Sequence, residues 1–561
     1  MRHLSSVTRC SVGLCTVALL TACDAGDSGS PASSTAGGGA GTSASTGGGS
    51  QGGSSGGSTT TAGAGGLGGG GAGSSSGGGG GGGGVGGGGG SGGGSNLAAC
   101  AEGVVSAACL CGATAVDSGY CCGGTPQATT CAAPSCLTGA VTSECTCGST
   151  VVSSGYCCKG SPQVDACALP PAFYVSPTGN DANPGTSADK PFLTLEKARA
   201  AARASAAVKT VYLLGGVYQR TATLSLESQD AGQSWLAYPG QTPILEGGSS
   251  TQVALLINAN NVTVRWITFR NFVKSTIGLF WGGANDVLID SNTILNTLSD
   301  GWVQAAIYMC CGQHKNARIT HNLIDGANYI GIDAGAATID GGDMAGTTIA
   351  YNAVYRTCRT VADCGAIYLW DRDRQSSNVT VDNNVLGDFG TRAVGGRALY
   401  LDDNTSNVTL RNNVAYGTGD WAVQYHGGDH NLFTNNIFDI SDVTHRLAVY
   451  QDTGDQTPPD LMSGNAFRCN IVYSSATPPS SLWDYYHVKD VVLPEVRDNV
   501  YWGKKGNFPN AAPIIDTNPK VADPGFVDPS ARNYAFGGAN PAESCGFKPI
   551  DVSAVGPLPN P

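Results

Sequence analysis

The chain has 561 residues, a formal net charge of −12 and a pI near 5.0. This acidic balance argues against a nucleic-acid-binding protein, because such proteins present a basic surface. It also disfavours a strongly acidic polysaccharide as ligand, unless arginines or Ca²⁺ compensate locally. Gly and Ser dominate the first hundred residues, whereas the C-terminal two thirds carry nearly all aromatic and branched aliphatic residues, so we expect several distinct regions.

Residues 1–22 are predicted to be an export signal. Arg2 and Arg9 flank the start of an apolar stretch that is too short to span a bilayer as a mature helix. The following sequence LTAC resembles a bacterial lipobox, which implies cleavage before Cys23 and lipidation of its thiol. An ordinary signal peptide with a chance cysteine is the alternative. We therefore expect a protein anchored by lipid in the bacterial cell envelope, periplasmic or on the cell surface.

Residues 23–97 follow the predicted lipidation site and consist almost wholly of Gly, Ser, Thr and Ala. A segment of this composition has no apolar surface to bury, and we predict that it is disordered. Its seventy-odd residues give a root-mean-square reach of roughly 45–50 Å. The segment is interpreted as a tether between the membrane and folded domains.

Two small cysteine-rich modules are predicted at residues 98–134 and 135–168. Both have the spacing C-x8-C-x-C-x9-C-C-x8-C, and together they hold twelve of the 21 cysteines. The region contains no His, which disfavours zinc, and an exported chain meets an oxidising environment, so we expect three disulfides per module. Six cysteines allow fifteen pairings, so the connectivity stays open. The modules serve either as a stalk or as a glycan-binding unit in which Tyr120 and Tyr156 stack on sugar.

An apolar–polar–apolar motif that ends in Asn recurs at intervals of 23 to 34 residues. The aligned residues are Asn292, Asn322, Asn352, Asn384, Asn413, Asn436, Asn470 and Asn499. The alternation before each Asn is typical of a strand, and no helical pattern fills the intervals. A unit that stacks on its copies buries its apolar face and leaves the Asn at a regular turn. There the Asn can bond its copies above and below and can adopt a left-handed backbone.

This repeat resembles that of the right-handed parallel β-helix proteins, the pectate-lyase-like superfamily. An amphipathic stretch from about Leu193 to Ala206 looks like the helix that caps the core in such proteins, and Asp523 to Pro557 looks like their closing segment. The resemblance implies an all-β, right-handed parallel β-helix over residues 172–557 with an N-terminal capping helix. The two disulfide-rich modules and the disordered Gly/Ser linker would precede it.

A second apolar run precedes the Asn motif in most coils, and alternation assigns its residues to two faces. The residues predicted to face inward are Ile307, Ile330, Ile367, Leu399 and Val423, with Met309, Ile332, Leu369, Leu401 and Tyr425 two positions later. The columns predicted to face outward are Tyr308, Gly331, Tyr368, Tyr400, Gln424; then Cys310, Asp333, Trp370, Asp402, His426; then Cys311, Ala334, Asp371, Asp403, Gly427.

Aromatic side chains offer flat platforms, and carboxylates offer an acid, a base or a metal ligand, which are the groups needed to bind and cut a sugar polymer. In the superfamily that the repeat resembles, such a face often lines the substrate groove. We therefore expect a set of outward side chains to bind substrate. The predicted substrate-binding residues are Trp370, Tyr368, Tyr400, Gln424, His426 and Asp403.

Four carboxylates are candidates for catalysis. Asp333 and Asp402, two coils apart, are predicted to lie roughly 9.5 Å apart, near the upper end of the separation in inverting glycosidases. Asp371 and Asp402 lie on neighbouring coils, closer to the roughly 5 Å of retaining enzymes. Similarity to fucosidase- and xylanase-type β-helix glycosidases, which carry an Asp before a GAIY-like strand and another in an IYLD-like strand, implies Asp363 and Asp402. Alternatively, these acids form turns and surface ion pairs.

Three functions remain open at this point. The first is a monomeric, cofactor-free glycoside hydrolase that acts on a polysaccharide through paired carboxylates. The second is a Ca²⁺-dependent polysaccharide lyase with Arg372, Arg374 or Arg397 as base, although the outward columns hold no Lys or Arg. The third is a non-catalytic glycan-binding module.

Cys358 and Cys364 can form a disulfide that pins the loop carrying Asp363, and the adjacent Cys310 and Cys311 can also form a disulfide.

Overall fold

The computed structural model describes residues 169–561 except 281–282, 300, 302–303, 337–341, 375, 377, 453–461, 487–490, 504–507 and 511, together with short strands between residues 103 and 163. The predicted signal peptide, the lipidation site Cys23 and the tether lie outside the described residues. Among the helices that are described, none combines the length and the apolar character needed to cross a bilayer.

Three long parallel sheets, which we name A, B and C, wind around one apolar core. Sheets A and B have 12 strands each and sheet C has 10, and in the coils that supply all three the chain visits A, B and C in turn. Strands at the same place in successive coils pair with each other. The predicted right-handed parallel β-helix is confirmed.

The strands of sheet A are Phe173–Val175, Thr210–Leu213, Ser234–Ala237, Thr263–Arg265, Leu288–Asp290, Arg318–Thr320, Thr348–Ala350, Val379–Asp382, Val408–Arg411, Leu432–Thr434, Ala466–Arg468 and Glu495–Arg497. Those of sheet B are Gly216–Gln219, Pro243–Glu246, Thr268–Arg270, Thr293–Leu295, Leu323–Asp325, Ala353–Tyr355, Val385–Gly387, Val414–Tyr416, Ile437–Asp439, Ile471–Ser474, Val500–Gly503 and Lys520–Val521. Those of sheet C are Leu224–Leu226, Leu255–Ile257, Ile277–Phe280, Ala305–Cys310, Ile330–Ala336, Gly365–Asp371, Arg397–Asp402, Gly419–His426, Val443–Gln451 and Trp483–Tyr486.

A single α-helix in the described residues, Leu195–Ala204, closes the N-terminal end of the core. Thr194 caps it, because its side-chain oxygen accepts a hydrogen bond from the Lys197 backbone N–H at 3.2 Å. Its buried face carries Leu195, Ala198 and Ala202, all of which belong to the main apolar core. The predicted capping helix is therefore confirmed, and it begins two residues later than the sequence pattern indicates.

The aligned asparagines form a continuous ladder in the sharp turn between sheets A and B. All eight side chains are buried. Each Nδ2 donates to the Oδ1 of the Asn one coil further on, as from Asn292 to Asn322 at 3.1 Å, and the ladder ends on Asp516. The left-handed residue is the one before each ladder Asn, such as His321 with φ of 53°, so the conformation that we expected at the Asn belongs to its neighbour.

The C-terminal segment runs back along the helix. After a hairpin of Phe526–Asp528 and Asn533–Phe536, a disulfide joins Cys545 to Cys469. Beyond it the Gly556 backbone N–H donates to the Tyr351 carbonyl at 2.9 Å. Asn560 then reaches the Tyr238 carbonyl at 2.8 Å, near the second coil. This segment straps early and late coils together, and it extends past the predicted boundary at residue 557.

The cysteine-rich modules share one strand arrangement. The first has a three-stranded sheet of Gly103–Val104, Tyr120–Cys122 and Thr125–Gln127 and a hairpin of Cys109–Cys111 and Thr114–Val116. The second has Gly139–Ala140, Tyr156–Cys158 and Ser161–Gln163 and a hairpin of Cys145–Cys147 and Thr150–Val152, so each strand recurs 36 residues later. A disulfide between Cys147 and Cys157 joins the third and fourth cysteines of the second module.

Removing one amide from the middle of the ladder should destabilise the domain. Asn384 donates to the Ile349 carbonyl and to Asn413, each at 2.9 Å, and accepts from both the backbone and the side chain of Asn352. Asn384→Ala would leave these buried groups without partners, so we expect a loss of about 1–3 kcal/mol in the free energy of unfolding, measured by urea titration. The exposed control Asn533→Ala should change it by less than about 0.5 kcal/mol. Equal effects would show that the ladder is not a special constraint.

Candidate active site

Sheet C departs from regular alternation near the start of its strands. Five of them place two consecutive residues in the core: Ala306 and Ile307, Ala366 and Ile367, Ala398 and Leu399, Ala422 and Val423, and Leu447 and Ala448. Because the strand turns over there, the residue before each pair lies on the outer face. Arg397 and Trp421 occupy such positions, so a strict alternation pattern assigns them to the wrong face.

The strand Ile330–Ala336 has a different register from the predicted one. Asp333 pairs with Tyr308 and Tyr368, whereas Trp370 pairs with Gly335. Asp333 therefore lies in the column of Tyr368 and not in that of Asp402. Two coils and two residues separate the two acids, which corresponds to roughly 12 Å between Cα atoms rather than the predicted 9.5 Å.

The same two-residue shift affects the predicted core. Ile332 pairs with Ile307, and Ala334 takes the place opposite Met309 that was predicted for Ile332. Ile330 pairs with Ala305 and joins an outer apolar cluster, so its assignment to the main core was wrong. The sequence YIGIDAG has small residues at Gly331 and Gly335, and it therefore fits either register equally well.

Asp402 is the centre of a buried hydrogen-bond network at the end of its strand. Its Oδ2 accepts from the Tyr368 hydroxyl, and its Oδ1 accepts from Nδ1 of His426, one coil further on. Burial alone would raise the pKa of Asp402, but the bond and charge of His426, together with the Tyr368 bond, hold it below the usual value. The reciprocal effect raises the pKa of His426, although burial opposes it. Asp402 is thus kept ionised.

Asp363 approaches the same place from a loop rather than from a strand. A disulfide between Cys358 and Cys364 closes this loop, as the sequence suggested, and Asp363 adopts a left-handed φ of 55° within it. The Tyr400 hydroxyl donates to Oδ1 of Asp363 at 3.1 Å. The Tyr329 hydroxyl donates to its backbone carbonyl at 3.0 Å. Cys310 and Cys311, the other pair that the sequence suggested, also form a disulfide.

Burial and the charge of Asp402 raise the pKa of Asp363, while Arg397 and the Tyr400 bond oppose the shift. Asp363 therefore keeps its proton at a pH at which Asp402 has lost its own. Two neighbouring carboxyl groups with pKa values pushed apart are the arrangement of an acid–base pair.

Tyr368 and Tyr400 link the two carboxyl groups. They pair on neighbouring strands with ring centroids 4.6 Å apart in an edge-on arrangement, and each hydroxyl donates to a different aspartate. Their rings are largely buried, at 9% and 3% exposure, so they present little surface to a sugar. We interpret these tyrosines as donors that position carboxylates, rather than as the stacking platforms predicted from the sequence.

Trp370 supports the third acid. Its Nε1–H donates to Asp333 at 3.0 Å, and its indole lies so close over Gly335 that a Cβ there would come within 1.8 Å of the ring. Burial and the charge of Asp402 raise the pKa of Asp333 well above the usual value, against the effect of the Trp370 bond. Asp333 is thus a buried, neutral acid behind the pair formed by Asp363 and Asp402.

Asp371 does not reach the outer face. It is fully buried and pairs with Ala336, a residue of the main core. Its Oδ2 accepts from the Ser376 backbone N–H at 2.8 Å. The predicted outward position of Asp371 was therefore wrong, and its side chain bonds the turn that follows its strand.

Asp403 lies beside Asp402 and makes an ion pair with Arg372 at 2.7 Å. Burial and the charge of Asp402 raise the pKa of Asp403, and Arg372 opposes this. Oxygens of the two acids and a nitrogen of His426 all lie within 4.8 Å of one another, a spacing that a cation could bridge. However, Tyr368, His426 and Arg372 already occupy these carboxylates, whereas Ca²⁺ needs six to eight oxygen ligands, so the donor set fits Ca²⁺ poorly.

Sequence reasoning missed part of this surface. Tyr329 and Trp421 were not identified, and Arg397 was considered only as a lyase base. Arg397 Nε donates to Gln424 at 2.6 Å, and Gln424 pairs with Tyr400 as predicted. The sequence pattern gave no sign that Arg397 and Trp421 face outward. Each lies two residues before an inward residue, and its outward position depends on the two consecutive core residues that follow it.

Comparison with known proteins gives the following. The family model described as "Right handed beta helix region" matches residues 250–438. Among solved structures, XylC in complex with xylose is similar at 12% identity and a TM-score of 0.42, over 64% of this chain and 87% of that one. The GH136 lacto-N-biosidase from Eubacterium ramulus is similar at 13% identity and a TM-score of 0.45, over 63% and 67%.

A rhamnogalacturonan lyase is similar at 15% identity and a TM-score of 0.38, over 69% of this chain and 99% of the lyase. No curated protein matches the sequence. At these identities and TM-scores the likenesses say nothing about the reaction or the substrate, so the functional argument depends on the site itself.

Asp333→Asn should stabilise the protein at neutral pH. The folded state holds a proton on Asp333 from pH 3.8 up to its raised pKa, where an unfolded Asp is ionised, so wild-type stability falls as pH rises through this window. An Asn side chain does not titrate, so it does not lose stability in this pH range, and its oxygen can still accept the hydrogen bond from Trp370. We expect a gain on the order of 1 kcal/mol or more at pH 7 that shrinks towards pH 4, measured by urea unfolding. The exposed variant Asp189→Asn is the control, and a pH-independent difference would contradict the assignment.

Proposed function

We propose that the protein is a carbohydrate-active enzyme, a glycoside hydrolase that uses Asp363 and Asp402 as its carboxyl pair. The observation that carries the proposal is the hydrogen-bond network: the contacting Tyr368 and Tyr400 donate to Asp402 and Asp363 respectively, and His426 bonds Asp402. In this network the pKa of Asp402 is lowered by His426 and Tyr368, while burial and the charge of Asp402 raise the pKa of Asp363. A protonated and an ionised carboxyl side by side are the two groups that glycoside hydrolysis requires.

In this mechanism the Asp363 carboxyl donates its proton to the glycosidic oxygen as the bond from that oxygen to the anomeric carbon breaks. The Asp402 carboxylate stabilises the positive charge that develops on the sugar ring. It then either attacks the anomeric carbon directly or removes a proton from a water that attacks it, giving retained or inverted product respectively. In the retaining route the ionised Asp363 takes a proton from a water, which attacks the anomeric carbon and displaces Asp402 as a carboxylate. In the inverting route Asp402 releases its proton to solvent, and Asp363 regains one from solvent.

The other residues have supporting roles. Tyr400 and the disulfide-closed loop fix the position of Asp363, and Tyr368 and His426 fix that of Asp402. The lipobox-like sequence that ends at Cys23 supports anchoring by lipid in the bacterial cell envelope, where an extracellular polysaccharide would be the substrate.

A polysaccharide lyase is the second candidate, and Arg397 favours it, since a lyase must neutralise a uronate carboxylate. A lyase would release unsaturated products that absorb in the near ultraviolet and, if Ca²⁺-dependent, would lose activity with a chelator. A hydrolase would release saturated sugars and would be indifferent to chelation. The same digest of candidate polysaccharides therefore separates the two reactions.

Replacement of either carboxyl should abolish most of the activity. A screen of the full chain against plant and bacterial polysaccharides, with detection of new reducing ends, identifies a substrate. On it Asp402→Asn and Asp363→Asn should each lower kcat by about 10²- to 10⁴-fold, as expected when an acid or base is lost. The control variant Asp325→Asn, which changes a carboxylate of sheet B that pairs with Arg356, should match the wild type in kcat. Unchanged binding and turnover in both active-site variants would favour a non-catalytic glycan-binding module.

The pH profile should report the coupling of Asp402 to His426. Because His426 lowers the pKa of Asp402, His426→Ala should raise that pKa, so less of Asp402 is ionised at low pH. We expect the acidic limb of the kcat/KM profile to move to higher pH, while the alkaline limb moves less. The exposed His430 offers a control as His430→Asn. An acidic limb that stays in place would mean that another group sets it.

A further inference from the structure

Arg397 lies in a row that crosses sheet C next to the carboxyl pair. In this row Gly365, Arg397, Trp421 and Arg446 pair in turn on successive strands. Arg397 is half-buried on the outer face, and its charge is close enough to lower the pKa of Asp363 against the larger effect of burial. A cation therefore stands beside the proposed acid of the site.

The guanidinium group of Arg397 is held in one orientation. Its Nε donates to Oε1 of the buried Gln424 at 2.6 Å, and its carbon lies 5.1 Å from the Tyr400 ring centroid and 5.0 Å from that of Trp421. Trp421 is fixed in turn, because His445 stacks on it at 4.7 Å and its Nε1–H donates to Asp484 at 2.7 Å. Arg397 is thus pre-organised by its neighbours before any ligand binds.

Arg397 differs from the nearby arginines in its lack of an acidic partner. Arg372 pairs with Asp403 at 2.7 Å, and Arg446 pairs with Asp484 at 2.9 Å. Among the described residues, no carboxylate makes an ion pair with Arg397, and its two Nη atoms donate no hydrogen bond. A guanidinium fork with its Nε already bonded presents those Nη donors in the geometry that suits a carboxylate.

We propose that the Nη edge of Arg397 binds the carboxylate of a uronic acid in the substrate, so that the enzyme acts on an acidic glycan. The inference rests on the proposed function, since it places this sugar next to Asp363 and Asp402. It also explains how a chain with a formal charge of −12 can hold an anionic polymer, because the cation is local and the neighbouring arginines are neutralised.

Binding to oligosaccharides that differ in their carboxylates tests this subsite. The probes are acidic oligosaccharides from polygalacturonate, alginate and glucuronoxylan, each with its carboxyl-reduced neutral form, titrated calorimetrically into the full chain carrying Asp402→Asn to prevent turnover. We expect at least one acidic probe to bind and its reduced form to bind much more weakly. Arg397→Gln should weaken that binding by about 10- to 100-fold, and Arg397→Lys, which keeps the charge without the fork, by less. The matched control is Arg411→Gln on sheet A.

Several outcomes would overturn the proposal. These are the failure of every acidic probe to bind, equal binding of acidic and reduced forms, or equal losses in Arg397→Gln and Arg411→Gln. The result is separable from the fate of the proposed reaction. If the protein hydrolyses a neutral glycan and Arg397→Gln does not change the rate, the proposed uronate subsite is wrong but the proposed hydrolase activity stands. If the wild-type protein binds an acidic probe through Arg397 but cleaves none of the probes, the uronate subsite stands and the proposed hydrolase activity is wrong.

Discussion

The buried asparagine ladder is the interaction on which the rest of the structure depends. Each ladder side chain donates through its Nδ2 to the next coil and accepts through its Oδ1 from the preceding coil, so a coil cannot slip without leaving buried polar groups unpaired. Locked coils keep the columns of sheet C aligned. That alignment places His426 beside Asp402 across 24 residues of sequence, and Tyr368 beside it across 34.

The alignment also determines the chemistry, because it gathers acids where water is largely excluded. Burial raises the pKa of a carboxyl group unless a specific partner compensates, and the partners are distributed unequally here. Asp402 has a histidine and a tyrosine, Asp363 has a tyrosine and the charge of a nearby arginine, and Asp333 has only an indole N–H. The stacked coils therefore give three identical side chains different acidities, with the pKa of Asp402 lowered and those of Asp363 and Asp333 raised.

Sequence patterns predicted the parts of this arrangement that repeat. The aligned asparagines gave the coils, and the amphipathic stretch gave the capping helix, since both signals are set by burial and hydrogen bonding of the same residue types. The register of Asp333 was wrong because its glycine and alanine neighbours are compatible with two alignments. The outward position of Arg397 and the tyrosine contacts of Asp363 could not be predicted, since they depend on a local break in strand alternation and on a loop with no repeat.

The ionisation states of Asp402 and Asp363 are the most direct test of the account. Carboxyl carbons labelled with ¹³C at aspartate can be titrated by NMR, with the two signals assigned by their loss in the corresponding asparagine variants. The account predicts that Asp402 titrates below pH 3.8, the ordinary value for Asp, and that Asp363 titrates above it. Titration of both groups near the ordinary value, or in the opposite order, would contradict the acid–base pair on which the proposed function depends.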